Sequence, residues 1–251
     1  MGRLSGRSIV VTGAAQGIGA YYAKAVAAEG GKVTVCDIIS PDATIEAIRQ
    51  AGGESIGMIS NITDAEDVVR TMEAANEAFG GIHGLVNNAA LFAALPKKPF
   101  EEITSAEFDR VMAVNVRGTF ECIKAVMPTM RRQGYGKIVN IASGTVFKGA
   151  PNMLSYVTSK GAIVAMTRSI AREVGSAGIL VNCLAPGLTM SEGIANNPDY
   201  LKRGNSTVAS RCLQRDQLPE DLTGSVIYLL SADSDFMTGQ TIVVDGGAVM
   251  H

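Results

Sequence analysis

Short apolar runs rich in β-branched residues alternate along this chain with longer stretches whose apolar positions recur at helical spacing. Ser8 to Thr12 reads as a first strand, and a glycine-containing turn leads from it into a helix over Ala20 to Glu29. The rhythm repeats with a strand over Lys32 to Asp37, a helix over Ala43 to Ala51, a strand over Glu54 to Ser60, a helix over Asp64 to Phe79 and a strand over Gly84 to Asn87. Alternation of this kind predicts parallel strands joined by right-handed helical crossovers.

The second half keeps the same order. Thr104-Ser105-Ala106-Glu107 is a capping-box pattern opening a long helix that carries Phe108, Val111, Met112, Val114 and Asn115 and runs to about Arg132. Asn115 falls amid apolar residues, so it either satisfies backbone groups at a local irregularity or holds a water. Gly134-Tyr135-Gly136 breaks the helix before a buried strand over Lys137 to Ala142 that delivers Ser143. A helix holding Tyr156 and Lys160 continues through Gly175, and a strand over Leu180 to Ala185 ends at Pro186-Gly187. Met190 to Gln217 is polar and irregular and reads as a substrate lid with Ile194, Tyr200 and Leu201 as apolar contacts. Pro219-Glu220-Asp221 opens another helix with proline at its first position, and a last strand over Thr241 to Asp245 ends at Gly246-Gly247. The expected fold is α/β: a Rossmann, doubly wound, seven-stranded parallel sheet with helices on both faces, as a single domain over residues 1–251 with its lid at about 190–217.

Composition narrows the function. With 251 residues, 47% of them hydrophobic, the chain can fill one large core, and a net charge of −2 offers no basic field for nucleic acid. No apolar run reaches the ~20 residues of a membrane span, and Met1 to Gly6 has no apolar signal core. Cys36, Cys122, Cys183 and Cys212 lack Cys-x-x-Cys spacing, which points to a reduced, cytoplasmic chain. His83 and His251 lack ligand spacing and read as solvated side chains, so no metal site is expected. The partners implied are small molecules.

The junctions between elements carry the chemistry. Gly13-Ala14-Ala15-Gln16-Gly17-Ile18-Gly19 lies between the first strand and the first helix. Glycines there let backbone approach a pyrophosphate, and the helix N-terminus offers free N–H groups. Asp37 ends the second strand, where a carboxylate accepts from the ribose hydroxyls of NAD and repels the extra phosphate of NADP. Ile38 and Ile39 follow it, and the glycine loop holds no Lys or Arg, so the cofactor reads as NAD. Asn61-Ile62 and Asn87-Asn88-Ala89-Ala90 end the third and fourth strands and would line the same cleft. Tyr156 and Lys160, four apart, share one helix face. A fixed ammonium favours the phenolate of a group whose pKa is otherwise about 10. Ser143 would hold a substrate oxygen by hydrogen bond.

Taken together, Thr12-Gly13-x-x-x-Gly17-x-Gly19, Asn87-Asn88-Ala89, Asn115, Ser143, Tyr156-x-x-x-Lys160, Pro186-Gly187 and Asp245-Gly246-Gly247 resemble the short-chain dehydrogenase/reductase family over essentially the whole length. The resemblance implies Tyr156 as general acid/base, Ser143 orienting the substrate oxygen, Lys160 on the nicotinamide ribose and Asn115 holding a water that relays the proton. It further implies Thr189 and Ser191 on the nicotinamide carboxamide, Asp37 and Asn61-Ile62 on the adenosine, and Gly13, Gln16, Gly17, Ile18, Gly19, Asn88, Ala89 and Gly187 along the cofactor. Three positions depart from the pattern: Ala90 in place of Gly, Ser191 in place of Thr, and Asn61 in place of an Asp that accepts from adenine.

Gly149 to Met153, Pro186-Gly187-Leu188 and the segment from Asp245 to His251 look most like catabolic NAD-dependent alcohol dehydrogenases such as pyridoxal 4-dehydrogenase or phenylethanol dehydrogenase. That likeness implies oxidation of a secondary or ring-bearing alcohol, with Phe92, Thr145, Phe147, Met153 and Ile194 as substrate walls. It also implies a homotetramer joined through the helix after Thr104, the Tyr156 helix and the C-terminal strand, with Ala248 to His251 at an interface. Ile163, Met166 and Ile170 fit either that interface or packing on the sheet. Two other readings stand beside this one: a 3-oxoacyl carrier-protein reductase, disfavoured by Asp37, and a non-catalytic dinucleotide-sensing protein, disfavoured by the intact catalytic set.

Overall fold

Seven apolar segments pair as one all-parallel sheet, and in such a sheet the inner strands are covered on both faces, which is why Val10, Val11, Val33, Val35, Leu85 and Val86 are wholly buried. The strands are β1 (Ser8–Thr12), β2 (Lys32–Asp37), β3 (Ser55–Ile59), β4 (Gly84–Asn87), β5 (Gly136–Ile141), β6 (Ile179–Pro186) and β7 (Thr241–Val244). Their order is β3-β2-β1-β4-β5-β6-β7. The chain leaves β3 and re-enters beside β1 as β4, with Val10 opposite Leu85 and Val11 opposite Val86. That reversal opens a crevice above the strand C-termini, where doubly wound sheets bind ligands. The computed structural model describes residues 2–195 and 204–250. Tyr200, Leu201 and His251, singled out above, lie outside the described residues.

Helices α1 (Gly17–Ala28) and α2 (Asp42–Gln50) cover one face with α10 (Glu220–Leu230). Their core joins Tyr22, Ala23, Val26, Ile45, Ile48, Leu222 and Val226 to the strand valines. On the other face lie α3 (Ala65–Phe79), α4 (Ser105–Met112), α5 (Thr119–Gln133) and α7 (Leu154–Val174), closed by Val68, Met72, Ile123, Val126 and Met130. Full burial of each such side chain contributes about 1.5–3 kcal/mol. Ile163 is buried against β6, and Met166 and Ile170 are partly buried on the second core, so this stripe of α7 packs on the sheet.

The structure corrects several sequence expectations. The helix expected to run unbroken from Thr104 to about Arg132 is interrupted by a π-helical segment, Ala113–Gly118, with Asn115 inside it. The capping box at its start is present as expected, with Thr104 as N-cap and Glu107 reciprocating. Helix α1 begins at Gly17, three residues before the expected start, because Gln16 adopts the extended N-cap conformation. Pro219 is the N-cap of α10 and precedes its first helical residue. A one-turn helix, α6 (Thr145–Lys148), was not anticipated, and the segment expected to form a lid contains α8 (Glu192–Ala195) and α9 (Gly204–Ala209) among the described residues. His83 is not a solvated side chain: its Nδ1 accepts from Ser8 N–H at 3.1 Å, its ring packs near Tyr135, and burial lowers its pKa.

Candidate active site

The glycine loop is shaped by what surrounds it. Thr12 Oγ1 accepts from the backbone N–H of Asn88 and Ala89 at 3.0 and 3.1 Å, and Asn88 Nδ2 donates to the carbonyls of Thr12 and Gly13. These bonds stitch the tip of β4 against the loop so closely that a Cβ on Gly13 would stand 2.6 Å from Ala89 Cα, and Gly13 has φ +62°. A Cβ on Gly19 would stand 2.2 Å from Gly13 O. Gly19 therefore acts by close packing behind the loop and is not among the residues lining the cleft. At the mouth of α1, Gln16 makes no side-chain cap and the first turn carries no acid. The unpaired N–H groups and the positive end of the helix dipole could hold a pyrophosphate.

Asp37 stands at the tip of β2 within the same cleft. Its Oδ2 accepts from Ala15 N–H at 3.0 Å and its Oδ1 from Ile39 N–H at 3.4 Å, which fixes the carboxylate and leaves each oxygen a second lone pair. Ile38 and Ile39, both exposed, flank it. Asn61 lines the cleft, and its Oδ1 accepts from Thr63 N–H and Thr63 Oγ1 at 3.0 and 2.8 Å. Ile62 lies beside it, and Arg117 donates to the Thr63 carbonyl at 3.1 Å.

At the opposite end Ser143 lies two residues beyond β5, buried, its Oγ accepting from Thr145 N–H at 3.3 Å. Tyr156 sits in the first turn of α7, and Lys160 one turn later donates to the Ile141 carbonyl at 2.7 Å. Lys160 Nζ is 5.7 Å from the Tyr156 ring centroid. Burial lowers the Lys160 pKa to about 8, with Cys183 acting weakly in the other direction. The ring of Phe92 lies tilted on Tyr156, centroids 4.7 Å apart.

Asn115 is buried in the π segment, where Oδ1 accepts from Leu91 N–H at 2.8 Å and Nδ2 donates to the Leu91 carbonyl and to Ser159 Oγ at 3.2 and 3.0 Å. Ser159 in turn donates to the Tyr156 carbonyl at 2.7 Å. Both amide hydrogens are thus spent on protein groups, and two of the three bonds satisfy the backbone of Leu91 beside the π segment. The Asn115 backbone carbonyl accepts from Thr119 Oγ1 at 3.0 Å.

Beyond β6, Gly187 donates to the Val244 carbonyl and Thr189 Oγ1 donates to the Gly187 carbonyl at 3.1 Å. Gln217 braces this segment twice, through its backbone carbonyl to Met190 N–H and through Nε2 to the Val244 carbonyl. Arg211, buried, donates to the Leu188 carbonyl at 2.6 Å. Neither brace stood out in the sequence, because each acts through backbone groups distant along the chain.

Asp37, Asn61, Ile62, Ser143, Tyr156 and Lys160 line one cleft of about 870 Å³, whereas Asn115, Ser159, Arg211 and Gln217 are not among its lining residues. Its lining contains Gly13, Gln16, Gly17, Ile18, Asn88, Ala89, Gly187, Thr189 and Ser191 of the expected cofactor set, and Phe92, Thr145, Met153 and Ile194 of the expected substrate set. Phe147 does not line it. That ring packs away from the cleft against Ala142, Ile163, Val164, Cys183 and Ala185, because α6 turns it toward the sheet. Lys97, Lys148 and Glu192 also line the cleft and were not singled out from the sequence. Each lies in a connection that follows a strand ending at the cleft, which was the available signal.

A family model described as enoyl-(acyl carrier protein) reductase matches residues 13–249. A Bradyrhizobium diazoefficiens protein named as a short-chain type dehydrogenase/reductase is 38% identical, covering 100% of this chain and 90% of its own length. The chain belongs to the short-chain dehydrogenase/reductase family. Within it, galactitol 2-dehydrogenase of Agrobacterium fabrum is 37% identical over 98% of both chains. A 3-oxoacyl-[acyl-carrier-protein] reductase of Staphylococcus aureus is 34% identical over 97% of this chain and 98% of its own. Among solved structures, levodione reductase superposes with a TM-score of 0.91 at 29% identity over 97% of each chain. Short-chain dehydrogenases are oxidoreductases of CH–OH donors that bind a nicotinamide dinucleotide, and this chain is such an enzyme. No described helix is long and apolar enough to cross a membrane.

Proposed function

We propose that the protein is an NAD-dependent dehydrogenase that reversibly oxidises a secondary, aromatic or cyclic alcohol to its ketone or aldehyde. The observation that carries this reading is one continuous cleft with Asp37 at one end and Ser143, Tyr156 and Lys160 at the other. The residues fit the dinucleotide: a glycine loop in which Gly13 and Gly19 admit no Cβ, an uncapped helix N-terminus, and a fixed carboxylate where ribose hydroxyls would lie. When bound, NAD supplies the hydride acceptor. Ser143 Oγ holds the substrate oxygen, and Tyr156 Oη takes its proton. Lys160, an ammonium at neutral pH because its lowered pKa is still about 8, favours negative charge on Tyr156 Oη. Phe92, Met153 and Ile194 wall the substrate end and exclude water from it.

The 3-oxoacyl carrier-protein reductase of Staphylococcus aureus favours a second reading, reduction of a carrier-bound ketone. Against it stand Asp37 at the ribose position and the isoleucines beside it, which offer a 2′-phosphate repulsion and no cation. A non-catalytic sensing role would leave the buried Ser143, Tyr156 and Lys160 without employment. We further propose a cytoplasmic homotetramer with its single domain lidded over 190–217. The half-exposed β7 edge and the four free thiols support this part. Sizing with light scattering would return a tetramer mass; a monomer mass overturns that part alone.

The test is a panel of arylethyl, benzylic and cyclic alcohols and acetoacetyl thioesters, offered with NAD+ and NADP+ or their reduced forms and followed by NADH absorbance. NAD+-linked oxidation of a ring-bearing alcohol supports the reading. NADPH-linked reduction of the thioester alone replaces it with the second.

A further inference from the structure

Asn152 has φ 62° and is the only described non-glycine residue with positive φ. The left-handed region is uncommon for L-residues, and such a conformation persists where its surroundings hold it in place. Here the holding contact is visible: the Asn152 carbonyl accepts from Lys98 N–H at 3.3 Å. Lys98 is itself anchored, its Nζ placed 2.7 and 2.8 Å from the two carboxylate oxygens of Glu107. Glu107 Oε2 accepts from the Thr104 N–H and hydroxyl at 2.8 and 2.9 Å, so the anchor is the capping box of α4.

The two segments joined at this point both lead to the reacting tyrosine. Residue 98 ends the loop that begins just past β4, and Phe92 of that loop lies on the Tyr156 ring. Residue 152 immediately precedes Met153, which lines the cleft and starts α7 by accepting from Val157 N–H at 2.9 Å. The loop and the first turn of α7 therefore touch twice, inside the cleft at the stacked rings and outside it at the Asn152–Lys98 bond.

We propose that Asn152 is a positioning residue: its left-handed backbone, bonded to Lys98 and anchored on Glu107, holds the 90–98 loop against α7 and so fixes Phe92 over Tyr156. Glycine reaches the same φ without penalty, whereas a β-branched residue is an outlier there. Asn152→Val must therefore turn the carbonyl away from Lys98, while Asn152→Gly keeps the bond. Asn152 is exposed, so neither change disturbs a core. The activity part of this proposal rests on the dehydrogenase reading; the structural part does not.

Amide hydrogen exchange over residues 90–98, NADH affinity by fluorescence, and kcat and KM for the best alcohol are measured on full-length wild type, Asn152→Gly and Asn152→Val. Asn152→Gly is expected within about twofold of wild type throughout. Asn152→Val is expected to speed exchange at Lys98 and raise the alcohol KM, each by about tenfold, or about 1.4 kcal/mol, with NADH affinity unchanged. Equal behaviour of the two variants overturns the proposal. So does a parallel loss of NADH affinity in Asn152→Val, which marks general loosening of the fold. Should wild type oxidise no alcohol, the dehydrogenase reading fails, and the exchange rates alone decide the clamp.

Discussion

Removing the Asn115 side chain separates a structural tie from a dispensable polar group. Its amide makes three hydrogen bonds, two with the backbone of Leu91 and one to Ser159, at a position 1% exposed. In Asn115→Ala the Leu91 N–H loses its acceptor and the Leu91 carbonyl its donor at a partly buried position, whereas Ser159 keeps its bond to the Tyr156 carbonyl. A backbone group left unsatisfied costs roughly 1–3 kcal/mol when fully buried; Leu91 is partly buried, so the two together should total about 3 kcal/mol, in the lower half of that range. For a chain of this size each kcal/mol lowers Tm by roughly 2–4 °C, which places the fall at about 6–12 °C. Leu91 precedes Phe92, so the alcohol KM should rise with the loss of stability. Asn115→Asp retains the acceptor for Leu91 N–H but loses both donors and buries a charge, and should fare no better. Scanning calorimetry of wild type and both variants, with and without NADH, reads these shifts. A Tm for Asn115→Ala within about 2 °C of wild type would refute the tie.

Asp37→Ser should lower the preference for NAD+ over NADP+ by about tenfold or more, since the variant loses both a charged acceptor and a repulsion worth about 1.4 kcal/mol; an unchanged ratio of kcat/KM values would place the ribose elsewhere. Gly13→Ala sets a Cβ 2.6 Å from Ala89 Cα at φ +62°, so NADH fluorescence titration should show binding weakened beyond detection in a protein that still folds; near-normal affinity contradicts the cradle. Lys160, its pKa lowered by burial to about 8, binds its proton less readily folded than unfolded. Its contribution to stability should therefore rise as pH climbs from about 8 through the ordinary lysine value near 10.4. The thiols of Cys36, Cys122 and Cys183, pushed up by burial, act oppositely over part of that window. The signal is accordingly the difference in urea midpoint between wild type and Lys160→Met, which should shift in favour of wild type with rising pH; a pH-independent difference refutes it.

The alternation of strands and helices was legible because the inner β-branched runs are buried on both faces, and burial of that kind leaves a continuous apolar signature. Asp37, Ser143, Tyr156 and Lys160 were legible because a strand end or a helical spacing fixes where each side chain points. What the sequence hid depends on contacts between distant segments. The π segment at Ala113–Gly118 leaves no periodic trace, since one extra residue in a turn is held by Asn115 bonding to Leu91. Phe147 had the right chemistry for a substrate wall, yet one turn of helix after Gly144 aims it at the core. Gly19 matched a motif of cofactor contacts and acts by letting Gly13 and Asn88 approach. The left-handed Asn152 is invisible without its partner Lys98.

The central claim, that Tyr156 moves the proton while the opposite end of the cleft holds NAD, is tested most directly by comparing wild type with Tyr156→Phe for NADH binding and alcohol oxidation together. The variant loses one oxygen and keeps the ring against Phe92. The expected result is NADH affinity within about twofold of wild type and a kcat reduced by at least about a thousandfold, the scale of a lost general base. Turnover within about tenfold of wild type would contradict the assignment, because the proton would then leave by a group other than Tyr156 Oη.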